Sequence, residues 1–333
     1  MTSGTPSLKI DTRWDGSHGI GRYAREVVSR LAVPWEDLGA MGSPSSPREA
    51  WRRDAGLASS DVVYSPGYNA SRVSRALQLV TVHDLIHMAV GGPKGALYRV
   101  YYDAVVKPII KRARSVITVS ETSASAIRQW VDDDHVEVVN AGIGVSDAFV
   151  PDGPVFEAER PYVMYVGNLR AHKNTATLFE AVAHTDFALT LLLPSAEHEA
   201  ASHAAEAAGI AHRCEILSGV SDGELARLYR GASVTAMPSL VEGFGLPALE
   251  SSMSGTSVVY WSGCAAVAES AGASGVPVAS ATDAREWAAT LVAAAHAGPS
   301  VRGDRASFDW ERTSHVVGKA LLSVGASVSG RRP

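Results

Sequence analysis

The stretch YVGNLRAHKNTATLFEAV, residues 165–182, changes its period halfway along. A β-rich apolar run, Tyr162–Val166, stops at Gly167, a polar loop follows, and Thr175–Ala183 then carries apolar residues at helical spacing. The same strand–loop–helix unit recurs downstream. Strands are expected at Leu189–Leu193, Glu215–Leu217, Val234–Ala236 and Ser257–Tyr260, and helices at Glu197–Ala208, Asp222–Gly231 and Pro247–Met253. Alternating strand and helix predicts a parallel sheet with helices on both faces, which is an α/β architecture.

The upstream half shows the alternation in looser form. Strands are expected at Leu8–Asp11, Asp61–Tyr64, Leu79–His83, Val116–Val119 and Val136–Val139. Ile20, Ala24, Val27, Val28 and Leu31 share one helical face, a long helical segment runs from about Lys94 to Ala113, and Thr122–Val131 forms another helix. Asn140–Glu159 breaks the pattern with Gly142, Gly144, Pro151, Gly153 and Pro154, and is read as a domain boundary. The expected organisation is two doubly wound Rossmann-like domains, over residues 1–145 and 155–305. A C-terminal helix near Phe308–Ser323, within 306–325, is placed to cross back to the first domain, with the last ten residues frayed.

Bulk properties fit this division. A chain of 333 residues exceeds one ordinary core. Its 46% hydrophobic and 20% charged residues are a globular composition, and a net charge of -5 argues against a nucleic-acid surface. No apolar run is long enough to span a bilayer, the N-terminal segment lacks a signal-peptide core, and a cytoplasmic protein is expected. Peripheral contact with the inner membrane face stays open through the basic end Lys111-Arg112-Arg114, although a domain helix with cations near its C-terminus explains that segment better. The two cysteines, Cys214 and Cys264, make no disulfide framework and stand at no metal-ligand spacing.

Open parallel sheets bind ligands at the carboxyl ends of their strands. Polar residues cluster there: His83-Asp84 and Ser120-Glu121 in the first half, then Gly167, Asn168, Arg170 and Lys173, then Ser218-Gly219, then Glu242. Both domains are therefore expected to turn these loops toward one shared cleft. Arg170 and Lys173, ahead of a helix that Asn174 can cap, suit a diphosphate, and two solvated loop cations are the plain alternative. In SLVEGFGLPALESSMSGTSVV, residues 239–259, Gly243 and Gly245 precede a helix with Pro247 in its first turn. That loop is expected to offer N–H groups to phosphate, while Glu242 and Glu250 accept hydrogen bonds from vicinal hydroxyls. Glu250 could equally serve only the helix dipole.

Three further motifs are weaker. Gly19-Ile20-Gly21-Arg22-Tyr23-Ala24 fits the dinucleotide fingerprint formally, but the strand ends too far upstream, and a glycine loop facing the cleft is expected instead. His83 ends a strand, with Asp84 placed to orient its ring or to cap the loop. Asp132-Asp133-Asp134 suggests a metal site but follows a helix and precedes a strand, so a solvated turn is expected.

Taken together these segments resemble the retaining glycosyltransferases of family 4, which have the two-domain GT-B fold. SLVEGFGLPALESSMSGTSVV resembles that family's E-x7-E donor motif, and YVGNLRAHKN its phosphate loop. TVHDL, ITVSE, VVNAGIG and GIGRYAREV are similar to its N-terminal and linker segments, so that matches run from about Lys9 to Ala295. The resemblance implies that Glu242 contacts donor-sugar hydroxyls and Glu250 the ribose. It implies that Arg170 and Lys173 neutralise the leaving diphosphate, with Gly243, Phe244, Gly245 and Leu246 lining the donor site. Gly167, Asn168, Ser218 and Gly219 belong to the same donor-binding set. His83 is implied beside the donor sugar, and Gly19, Ile20, Gly21, Asp84 and Ser120 near phosphate or acceptor. Many relatives carry Arg where Asn168 stands and Pro where Ser257 stands, which shifts the cationic work onto Arg170 and Lys173.

The expected activity is thus a metal-independent hexosyl transfer with retention, without a cofactor, from a nucleotide-sugar to a glycan, lipid-linked or small-molecule acceptor such as a natural-product aglycone. GDP-mannose leads among donors because the motifs look mannosyltransferase-like, with a UDP-sugar as the alternative. An NAD-dependent oxidoreductase using Gly19–Ala24 and a non-catalytic nucleotide-sugar binder are the rival classes.

Overall fold

A computed structural model describes residues 7–16, 19–54, 56–89, 92–298 and 304–329. The chain divides into two compact units, Met1–Gly144 with Ala306–Pro333, and Val145–Arg305.

In the first unit, strands β1 (Leu8–Ile10), β2 (Glu36–Asp37), β3 (Val62–Ser65) and β4 (Leu77–Val80) form a parallel sheet in the order β2-β1-β3-β4. A bridge from Thr81 to Ile117 continues it to the parallel pair β5 (Ser115–Thr118) and β6 (Glu137–Asn140). The order reverses between β1 and β3, and their carboxyl ends define this unit's switch point. β3, β4 and β5 are buried on both faces, as covered parallel strands must be.

Helix α1 is Gly19–Val28, and this corrects the sequence reading of Gly19–Ala24 as a loop. Gly19, Ile20 and Gly21 are all helical and form no loop themselves. The physical reason is packing. A side chain at Gly21 would collide with the backbone of Gly16, so glycine lets the helix lie against its own approach segment. Ser17 and His18 fall outside the described residues.

Helices α2 (Ile86–Ala89) and α3 (Gly92–Tyr101) lead into a π-helical turn, Tyr102–Val106, then α4 (Lys107–Ala113). The expected long helical segment is therefore present, with its period widened just before Pro108. Proline has no N–H and crowds the carbonyl four residues back, and a π turn is one way to absorb it. Lys111 pairs with Asp133 at 3.5 Å and Arg112 donates to the Ser74 carbonyl at 3.1 Å, so two cations of the basic end hold the fold together. Helix α5 (Glu121–Val131) is capped by Ser120, whose Oγ accepts from Ser123 N at 2.9 Å.

The second unit is a single six-stranded parallel sheet. Its strands are β7 (Tyr162–Val166), β8 (Ala188–Leu192), β9 (Cys214–Leu217), β10 (Val234–Met237), β11 (Val258–Trp261) and β12 (Gly275–Val278), in the order β12-β11-β10-β7-β8-β9. Read from β9, this is the doubly wound order 3-2-1-4-5-6, with its switch point between β7 and β10. Helices α6 (Thr175–Ala183), α7 (His198–Ala207), α8 (Asp222–Gly231), α9 (Leu246–Met253) and α10 (Ala265–Ala271) connect the strands in turn, and α11 (Ala284–Ala297) follows β12. Val163, Leu178, Leu189, Leu191, Val234, Trp287 and Leu291 lie in its fully buried core.

The last helix, α12 (Trp310–Ser329), belongs to the first unit. Trp310 meets the Tyr23 ring edge-on at 6.2 Å, and Ser314 Oγ donates to the Val27 carbonyl at 3.0 Å. The expected fraying of the last ten residues is corrected as far as Ser329, because Val324 is buried and anchors that final stretch. Among the described residues no helix is long and apolar enough to cross a membrane.

Candidate functional site

The loops after β7 and β10 flank the switch point of the second unit. The first begins at Gly167, where a Cβ would meet the Tyr165 hydroxyl at 2.7 Å, and that hydroxyl donates to Asn168 O at 2.7 Å. Asn168 Oδ1 then accepts from Arg170 N at 3.1 Å, and Leu169 N donates to Glu197 Oε2 at 2.7 Å. These bonds hold the loop in one shape, and Leu169 packs against the core. A 3₁₀ turn, Ala171–Lys173, presents Lys173, while Arg170 is exposed.

Asn174 stands at the start of α6 but does not cap it, contrary to expectation. Its backbone is left-handed, at φ 51°, so its side chain turns elsewhere. Nδ2 donates to Ala281 O at 2.7 Å, and Oδ1 accepts from the Thr177 hydroxyl at 2.9 Å. The residue ties the loop to the segment after β12 instead.

The second loop is joined to the first through its backbone, Leu240 N donating to His172 O at 2.8 Å. Two residues on, Glu242 Oε1 accepts from Lys173 Nζ at 2.6 Å. The two side chains are only 10% and 13% exposed, so this ion pair is largely removed from water. The sequence assigned the pair separate tasks, and the structure joins them directly. Phe244 is buried and Gly245 takes φ 88°, a left-handed turn that starts α9. Pro247 has no N–H, and Ala248 N and Leu249 N both donate to Gly245 O, so the helix start offers an anion fewer donors than the sequence suggested.

Glu250 lies one turn into α9 and is buried, with the hydroxyl of fully buried Tyr229 3.5 Å from its Oε2. Ser218 and Gly219 follow the edge strand β9. Ser218 Oγ accepts from Ser195 at 3.0 Å, and Gly219 turns the chain at φ 69°. Cys264 is buried, and burial pushes its thiol up to about 11. Among the described residues no three His, Cys, Asp or Glu side chains are grouped to hold a metal ion.

The first-unit candidates have separate tasks. His83 Nε2 lies 2.9 Å from Pro66 O, and since a carbonyl only accepts, Nε2 carries the proton. The Tyr23 ring packs edge-on to the imidazole at 4.8 Å. Asp84 does not orient this ring. Its Oδ1 accepts from Ile86 N at 2.9 Å, which begins α2. Ser120 serves α5 as its cap, and Gly19, Ile20 and Gly21 belong to α1.

Sequence reasoning missed what occupies this unit's own switch point. Asp11, at the end of β1, and Glu49 are 1% and 4% exposed. Arg13 binds both carboxylates, at 2.6 Å and 2.7 Å, and Arg52 binds Glu49 at 2.8 Å and Asp11 at 3.3 Å. Asn69, from the loop after β3, donates to Asp11 at 2.7 Å and accepts from Trp14 Nε1 at 2.5 Å. Burial raises the Asp11 pKa, but the hydrogen bonds and charge of Arg13 outweigh it and hold the carboxyl below its usual 3.8. A charged residue ending a strand, as Asp11 does, was the available signal.

Residues 150–295 match the protein family described as Glycosyl transferases group 1. Over 197 residues the chain is 27% identical to the O-antigen chain mannosyltransferase RfbU of Salmonella typhimurium, covering 55% of this chain and 51% of that protein. It is 37% identical over 136 residues to a D-inositol 3-phosphate glycosyltransferase of Mycolicibacterium gilvum, covering 39% of this chain and 30% of that one. The matched stretches thus span about half or less of these relatives. Among solved structures, a glycosyltransferase from Rickettsia africae superposes with a TM-score of 0.61 at 14% identity, covering 99% of this chain and 100% of its own. WaaG, a glycosyltransferase involved in lipopolysaccharide biosynthesis, gives 0.56 at 12% identity, with 97% and 100% covered. At such identities the likeness is one of fold, and the fold is GT-B.

Proposed function

We propose that this chain is a nucleotide-sugar-dependent glycosyltransferase that moves a hexose with retention of anomeric configuration. The observation that carries the reading is the Lys173–Glu242 pair at the switch point of a 3-2-1-4-5-6 sheet, a shielded cation beside an acceptor of hydroxyl hydrogen bonds. The group 1 match over residues 150–295 supports it, because that span contains both loops.

The chemistry follows from where charge develops. Breaking the bond between the anomeric carbon and the diphosphate places negative charge on the leaving oxygen and positive charge on the sugar ring. Lys173, with exposed Arg170 beside it in sequence, meets the first, and a preorganised cation in a shielded site is worth far more there than in water. Glu242 and Glu250 position hydroxyls and need not move a proton. In our reading the leaving phosphate takes the acceptor proton on the same face, and no metal or cofactor is required. Activity unchanged by EDTA is the expected result, and chelator-sensitive transfer by purified enzyme would overturn it.

GDP-mannose is the donor we put first, since the RfbU relative is a mannosyltransferase by name, and a UDP-sugar is second. The acceptor class is a growing glycan, a lipid-linked sugar or a small molecule, and the reaction belongs in the cytoplasm. The oxidoreductase alternative loses its ground because Gly19 and Gly21 are inside α1 and form no phosphate-binding turn. A donor-panel hydrolysis assay tests the proposal. We expect slow release of GDP or UDP from one nucleotide-sugar, with NAD giving no thermal stabilisation. Lys173→Ala should weaken nucleoside diphosphate binding by ~1.5–3 kcal/mol, the worth of a charge-assisted hydrogen bond. Unchanged affinity in calorimetry would remove Lys173 from the phosphate site.

A further inference from the structure

The Lys173–Glu242 contact implies more than two roles side by side. The carboxylate touches the ammonium at 2.6 Å, which is the contact a phosphate oxygen would make. With 13% and 10% of the two side chains exposed, neither charge has ready access to water. The backbones of the two loops are tied, Leu240 N donating to His172 O at 2.8 Å. The loops therefore keep the pair within reach, and a change of partner needs only side-chain rotation.

We propose that Glu242 acts as an internal competitor for the phosphate seat on Lys173, and that it thereby selects the intact nucleotide-sugar over the nucleoside diphosphate product. The inference rests on the reading of this site as a donor site. When a diphosphate takes Lys173, the displaced carboxylate stays shielded, and an unpaired shielded charge is costly. A nucleotide-sugar offsets that cost because its hexose hydroxyls donate to Glu242. A free nucleoside diphosphate has no such donors and leaves Glu242 facing a second anion. After transfer the sugar is gone, the carboxylate returns to Lys173, and the product is displaced. One residue thus helps hold the donor and helps eject what remains of it.

This predicts the sign of an effect that the donor-sugar role alone does not. Titrations of GDP and UDP into the purified full chain would compare wild type, Glu242→Gln, Glu242→Ala, Lys173→Met and the Lys173→Met/Glu242→Gln double variant, each checked for folding by thermal melt. The nucleotide-sugar that the hydrolysis panel identifies is titrated in parallel. Removing the carboxylate is expected to tighten nucleoside diphosphate binding about tenfold, equivalent to about 1.4 kcal/mol. Nucleotide-sugar binding should not tighten, and product inhibition should strengthen. Lys173→Met should weaken nucleoside diphosphate binding in both backgrounds. If Glu242→Gln and Glu242→Ala leave GDP and UDP affinity unchanged or lower while Lys173→Met weakens it, the competitor role fails and the donor-site reading stands. If Lys173→Met also changes nothing, the phosphate assignment itself falls.

Discussion

Gly245 shows how much one backbone angle can hold. At φ 88° it lies where L side chains pay a steric penalty, and a Cβ there would also meet Ser270 Oγ at 3.0 Å. Gly245→Ala should destabilise the second unit by ~1–2 kcal/mol from the left-handed turn alone, read as a lower urea midpoint. It should also disturb the Glu242 loop, visible as weaker nucleotide binding. Burial pushes the thiols of both Cys214 and Cys264 up to about 11, so both are protonated at neutral pH. Native protein should therefore react slowly with a thiol reagent, and unfolding should release both; rapid labelling of Cys264 in the native state would contradict its burial. Residue identity carried much of the site in the sequence, since Lys173 and Glu242 both follow strands. Their contact was not legible, because it spans 69 residues and exists only once β7 and β10 lie side by side.

Among elements, α8 is the clearest case of local sequence dictating local structure. Ser221 and Glu224 form a complete capping box, with Ser221 N donating to Glu224 Oε2 at 2.8 Å and Glu224 N to Ser221 Oγ at 3.3 Å. Ser221→Ala should cost about 1 kcal/mol, measured by urea denaturation. Thr175–Ala183 and Asp222–Gly231 are legible to the residue for this reason of strong period and clear ends. Five elements are not, one of them the four-residue helix α2. β2 is two exposed acidic residues with no apolar alternation, and β12 carries Gly275 and Pro277, residues that sheets admit mainly at an edge. α10 and α11 are alanine-rich, and alanine does not mark a buried face by its hydrophobicity. Gly19–Ala24 misled in the opposite direction, since glycines that allow close packing in a helix read locally like a loop.

For the molecule as a whole, alternation of strand and helix is enough to read two parallel α/β units, because it depends only on period. Strand order does not, since it depends on which crossover turns which way. The buried charges of the first unit were hidden for the same reason: Asp11, Arg13, Glu49, Arg52 and Asn69 meet only at its switch point. Their pH dependence has a definite sign. Asp11 has a folded pKa below 3.8, so its contribution is fully present above that value and is lost as pH falls through the lower one. Stability of the first unit should therefore fall as pH drops below about 4, and Asp11→Asn should flatten that slope while lowering stability near neutrality, because Arg13 then loses a partner. A slope unaltered by the substitution would remove Asp11 from the acid transition.

The placement of α12 also bears on how the chain is made. The helix that covers α1 is translated only after Val145–Arg305 has been synthesised. At ribosomal speeds of about 5–20 residues per second, the first unit waits on the order of ten seconds or more for its last helix, while the second already has every strand it needs. The usual order, N-terminal domain first, is thereby reversed for completion. During that interval the surface destined for Trp310, Val317 and Leu321 has no cover, and it is there that a nascent chain would need protection from association with its neighbours.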